Sequence, residues 1–191
     1  VIGIGQPAGG GKVLDFDIEN RPLSYWQPDR PTAEVTAIAS MWVGDPDSLE
    51  VWMLTPTSDG RSMLERFVQR YNEADLVTGH YVRMHDLPII NGALIEMGLP
   101  TLGEKLVCDT KMDMIRKADI PATQEFLLDT LGVGVEKYHM TQTKWREANR
   151  LTEKGMIETA KRVSSDVLGH AEMRAEMLRR GLLKAPRMWR G

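Results

Sequence analysis

Polar and apolar residues alternate along Val13-Leu14-Asp15-Phe16-Asp17-Ile18-Glu19, the period-two pattern of a strand with one apolar face. Asn20-Arg21-Pro22 is expected to end it, and residues 22–34, with three prolines, read as an irregular excursion. Residues 36–43 and 49–54 are two further β-type runs. The turn residues Gly44-Asp45-Pro46-Asp47 lie between them, which predicts an antiparallel hairpin. The period then changes. Over 61–73, Leu64, Phe67, Val68 and Tyr71 recur at three- and four-residue spacing, as on a helix. Residues 76–80 predict a short strand and 87–97 a helix stopped by Gly98 and Pro100. Residues 106–109 predict another strand, and 123–131 a helix stopped at Gly132. Residues 132–143 read as a flexible crossing. Residues 156–180 form a long amphipathic pattern, with a break expected near Gly169. Early strands followed by alternating helices and strands predict an α/β fold, a mixed central sheet with flanking helices.

A chain of 191 residues, 42 % apolar and 27 % charged, has room for one full domain. That domain is expected to span 1–191, with a core at about 13–180 and terminal extensions at 1–12 and 181–191. The single Cys108 excludes a disulfide scaffold and a multi-cysteine zinc site. No apolar run is long enough to span a bilayer, and residues 1–11 lack the pattern of a signal peptide, so a cytoplasmic location is expected. The Gly9-Gly10-Gly11 run does not make a phosphate loop. That pattern would need glycine where Gln6 stands and a hydroxyl where Val13 stands. The net charge of -3 hides an asymmetry. Residues 1–143 carry 12 Lys+Arg against 21 Asp+Glu, whereas residues 144–191 carry 12 against 6.

The chemistry lies in the acids. Asp17 and Glu19 project from the same strand face, where like charges repel unless a cation compensates them. Two solvated acids at a strand end are the alternative. Asp86 stands at the start of the 87–97 helix, where it would serve equally as an N-cap. Asp166 sits at the border of the apolar stripe on the long helix, with Arg162 and His170 four residues to either side. A solvated acid remains the alternative there too.

In this order the motifs resemble the DnaQ-like, or DEDD, family of 3′–5′ exonucleases, which adopt a ribonuclease H-like fold. The resemblance runs through Asp17-x-Glu19, then Gly79-His80 with Asp86-Leu87-Pro88, then Ser165-Asp166-Val167, over residues 13–180. It implies that Asp17, Glu19, Asp86 and Asp166 are metal ligands, and that Asp109-Thr110 is a recurrent pair outside the ligand set. The oxygen-only ligands favour Mg²⁺ or Mn²⁺, two ions per site, roughly 4 Å apart. The sequence departs from the family at the base. Where one branch has histidine and the other tyrosine, this chain has Lys161 and Arg162, and arginine stays protonated. His170 is therefore expected as a substitute catalytic base, with His80 and His85 as further candidates.

The resemblance implies hydrolysis of phosphodiester bonds at single-stranded 3′ ends, DNA favoured over RNA, in a bacterial or phage-infected cell. Nucleic-acid contacts are expected from Tyr81, Arg83, Met84, Lys144, Trp145 and Arg162, and Trp189 is a further stacking candidate. Replication or repair proteins are expected as further partners, and no membrane. A catalytically weak domain that binds nucleic acid or a replication partner is the alternative function, and a structural α/β domain unrelated to nucleases is the third.

Overall fold

The computed structural model describes residues 10–23, 32–115, 117 and 119–191. Three antiparallel strands open it: β1 (Val13–Leu23), β2 (Thr32–Trp42) and β3 (Asp45–Met53). Helix α1 (Arg61–Glu73) crosses to β4 (Leu76–Gly79), which runs parallel beside β1. Helix α2 (Asp86–Glu96) then leads to β5 (Lys105–Asp109), parallel to β4. Four helices follow: α3 (Thr110–Met114), α4 (Gln124–Leu131), α5 (Gln142–Asn149) and α6 (Glu153–Arg179). A last strand, β6 (Arg187–Trp189), closes the sheet in the order β3-β2-β1-β4-β5-β6. This is a ribonuclease H-like α/β architecture, with antiparallel early strands and a long helix near the C-terminus.

The alternation along β1 decides what each face meets. Leu14, Phe16 and Ile18 point to one side, into a core with Phe67 and Tyr71 of α1 and Leu87, Ile90 and Leu94 of α2. Each such side chain, buried fully, contributes about 1.5–3 kcal/mol. On the opposite side, Ala37, Ala39 and Met41 of β2 pack against Val163 and Val167 of α6. Asp15, Asp17 and Glu19 share that side. The strand's polar positions thus face a helix and not open water.

Several boundaries differ from the sequence expectation. β1 continues through Asn20-Arg21-Pro22 after a register shift between Glu19 and Asn20. Proline is tolerated because β4 pairs only with residues 13–15, so among the described residues no strand pairs with that edge of β1's outer half. Pro28 and Pro31 of the expected excursion lie outside the described residues. α6 is continuous through Gly169, where α4 packs closely, and tertiary contact outweighs the roughly 1 kcal/mol helix penalty of glycine. Residues 181–191 are not simply a tail: β6 pairs with β5, and Trp189 is buried in the α1–α2 core, so it is not a stacking platform. Residues 132–143 are not a free crossing either. Gln142 begins α5, and the Tyr138 N–H is stapled to Ser165 of α6.

Candidate metal centre

Asp17 and Glu19 stand opposite Ala39 and Ala37 on the neighbouring strand. Directly opposed residues share a face, so each acid has a small residue beside it. The two alanines, both fully buried, let α6 settle close to the sheet, with Val163 and Val167 as its apolar footing. Asp166, on the same helix, is thereby set against the strand acids. Ligand oxygens of Asp17, Glu19 and Asp166 all lie within 4.8 Å of one another.

Asp86 comes near these acids by a different route, beside the tight group of three rather than within it. It is the first residue of α2 rather than its N-cap, and its Oδ1 accepts the N–H of Ile18 at 3.2 Å, between the two strand acids. The loop that carries it has two supports. A Cβ on Gly79 would collide with Val82 and with the carbonyl oxygen of Phe16, so this close turn excludes any larger residue. Asp109 accepts the N–H groups of Tyr81, Arg83 and Met112 at 3.0–3.1 Å. It clamps the loop at Tyr81, whose φ of 76° is left-handed.

Gathered acids perturb one another. Burial first, then the charges of Asp86, Asp166 and Glu19, push the Asp17 carboxyl well above the usual range. Glu19 is raised to about 7, by burial and then by Asp166, against the pull of Arg162 and Lys137. Burial also raises Asp86 and Asp166.

Two protein cations enter the cluster. Arg162 Nε lies 2.9 Å from Asp166 Oδ2 and 3.5 Å from Glu19 Oε1. Lys137 Nζ lies 3.4 Å from Asp166 Oδ1. Lys137 was invisible in the sequence because it sits in an aperiodic segment. It is brought in by its neighbour: the Tyr138 N–H donates to Ser165 Oγ, and Arg162 Nη1 donates to the Tyr138 carbonyl.

Among solved structures, the family B DNA polymerase from the hyperthermophilic archaeon Pyrobaculum calidifontis is similar, with a TM-score of 0.62 and 19 % identity. The likeness is one of fold. It covers 85 % of this chain and 24 % of the polymerase, so the chain spans about a quarter of that protein. No family model and no curated protein sequence matches the chain.

The donor set suits a hard divalent cation. All the ligands are carboxylate oxygens, and the nearly buried Asp166 keeps one oxygen, Oδ1, without a hydrogen-bond partner among protein atoms. Carboxyls held above their normal pKa by mutual repulsion are relieved by a cation.

The residue expected as base, His170, does not face the three acids. His170 is buried one turn beyond Asp166. Its Nδ1 meets Asp15 at 2.7–2.8 Å and its Nε2 meets Thr110 Oγ1 at 3.0 Å, so both ring nitrogens are engaged away from the acids. Thr110 Oγ1 also meets His80 Nδ1 at 3.0 Å, and His80 Nε2 meets the Ala122 carbonyl. Burial, then the nearby His170, lowers His80 to about 3, so it is neutral. His85 is different. It is half-exposed, its Nδ1 lies 3.4 Å from Asp86 Oδ2, and that contact raises its pKa.

The expected nucleic-acid contacts also divide. Lys144 is matched internally, at 2.7 Å from Glu158 and 2.8 Å from the Tyr138 hydroxyl, and Arg162 belongs to the acid cluster. Arg83 donates to the carbonyls of Arg187 and Met188. The Tyr81 ring lies under Lys111. Trp145 is half-buried. Met84 is 61 % exposed, at the rim of a cavity of about 310 Å³ that His85, Pro88 and Ile89 also line. Among the described residues, no helix is long and apolar enough to cross a membrane.

Proposed function

We propose that the protein is a divalent-cation-dependent 3′–5′ exonuclease acting on single-stranded 3′ ends, with DNA favoured over RNA. The observation that carries this reading is the meeting of Asp17 and Glu19 from β1 with Asp166 from α6, acids with raised pKa values held within 4.8 Å of one another. The DNA preference rests on the fold likeness to a DNA polymerase.

Bound Mg²⁺ or Mn²⁺ would lower the pKa of the attacking water and take up charge on the leaving 3′-oxygen. Asp17, Glu19, Asp86 and Asp166 would hold the cation. Two ions, as the resemblance implies, would require Arg162 to leave its place among them. His85 takes the role first expected of His170: it lies beside Asp86 and is open enough to pass a proton to solvent. The apolar rim formed by Met84, Pro88 and Ile89 would receive the terminal base. The exposed Arg146, Arg150 and Lys161 supply attraction for the phosphate backbone.

A labelled single strand incubated with Mg²⁺, wild type against Asp17→Asn, tests the reading. Stepwise shortening from the 3′ end by wild type, abolished in the variant, is the expected result. Binding without shortening would instead support the weak-domain alternative, which the arginine at the usual base position favours. Shortening by both proteins would place the chemistry elsewhere.

A further inference from the structure

We propose that the centre holds one divalent cation rather than two, and that Arg162 is a built-in positive charge occupying the second cation's place. The inference rests on the metal-dependent reading above.

The cluster is compensated unevenly. Each oxygen of Asp166 faces a protein cation, Arg162 at 2.9 Å and Lys137 at 3.4 Å, and Arg162 reaches across to Glu19. Asp17 has no ion pair among the described residues, and Asp86 pairs only with His85. The acid left without a cation partner among the described residues is therefore Asp17, on the side of the cluster away from Arg162 and Lys137. A second ion would enter within a few ångströms of two fixed positive charges.

Arg162 is also difficult to remove. Its guanidinium does not deprotonate, and its Nη1 bond to the Tyr138 carbonyl is 2.6 Å long. Tyr138 is fixed in turn, because its N–H donates to Ser165 Oγ, which donates to the Arg162 carbonyl, while its hydroxyl donates to Glu158. Withdrawing the guanidinium would break that bond and its ion pairs with Asp166 and Glu19, and leave a partly buried carbonyl unpaired. A mobile surface arginine would yield to an incoming ion, whereas this one is built in.

Metal-stripped protein titrated with Mn²⁺, read by calorimetry and by electron paramagnetic resonance, tests the count. Wild type is expected to bind one equivalent, with the spectrum of an isolated ion. Arg162→Gln, or Arg162→Met should the first fail to fold, is expected to bind two, with the spin coupling of neighbouring ions. Two coupled equivalents in wild type overturn the inference while leaving the nuclease reading intact. One equivalent in both wild type and variant removes Arg162 from the role. No binding in wild type, with no shortening of a single strand, brings down the metal-dependent reading itself.

Discussion

Replacing Glu19 with glutamine should make the metal-free protein more stable at alkaline pH, although it removes an ion pair. The Glu19 side chain is only 13 % exposed, and its carboxyl is raised from 4.5 to about 7. In the folded protein it stays protonated through a window in which the unfolded chain has already ionised. The folded state therefore binds the extra proton between about pH 4.5 and 7, and stability falls as pH rises through that window. At about 1.4 kcal/mol for each tenfold change, the full penalty above pH 7 is about 3 kcal/mol. Glu19→Gln relieves it, less whatever Arg162 loses, so a net gain of about 1–3 kcal/mol is expected at pH 8 with chelator present. For a chain of this length that is a rise in melting temperature of roughly 2–12 °C. At pH 4.5 the two proteins should melt together. Added Mn²⁺ should stabilise wild type at pH 8 in proportion to its binding and the variant much less. Thermal unfolding at both pH values, with and without Mn²⁺, reads all of this. A variant less stable than wild type at pH 8 in chelator would refute the reasoning, because Glu19 would then be a satisfied partner of Arg162 and not a strained ligand.

Other substitutions separate positioning from chemistry. His170→Ala leaves Asp15 buried without its partner and should cost about 3–5 kcal/mol in urea unfolding; lost hydrolysis with unchanged stability would restore His170 as the base. Asp109→Ala orphans three backbone N–H groups and should cost at least about 2 kcal/mol, with Mn²⁺ affinity falling because the loop bearing Asp86 loosens. Gly79→Ala should weaken Mn²⁺ binding as well as stability, since the Phe16 carbonyl that it meets belongs to the strand of Asp17; a variant with wild-type affinity would show that the loop adjusts freely.

The strand acids were legible because a period of two fixes the face, and nothing in the sheet overrides it. Asp166 was legible as a border residue on a strongly patterned helix. His170 misled for a geometric reason. It does share a face with Asp166, but four helical residues advance about 6 Å, and two strand residues advance about 7 Å. One turn along the helix therefore meets Asp15, two positions back on β1, and not Asp17. Lys137 and Tyr138 carried no periodicity, so nothing in the sequence linked them to the acids. β6 is three residues long, too short for alternation to show. The alanines opposite the acids were visible letters, but their use depended on a register that only pairing reveals.

The bond between His170 and Asp15 joins residues 155 positions apart, and Asp166 is nearly as distant from the strand acids. A ribosome adding roughly 5–20 residues per second takes on the order of 10–30 s to cover that interval. Throughout it, Asp17 and Glu19 exist without their helix partner. A nascent or prematurely ended chain thus carries the first ligands and none of the last. On the proposed nuclease reading, hydrolytic capacity would arrive only when α6 docks, and an unfinished copy would be inert toward the nucleic acids around it.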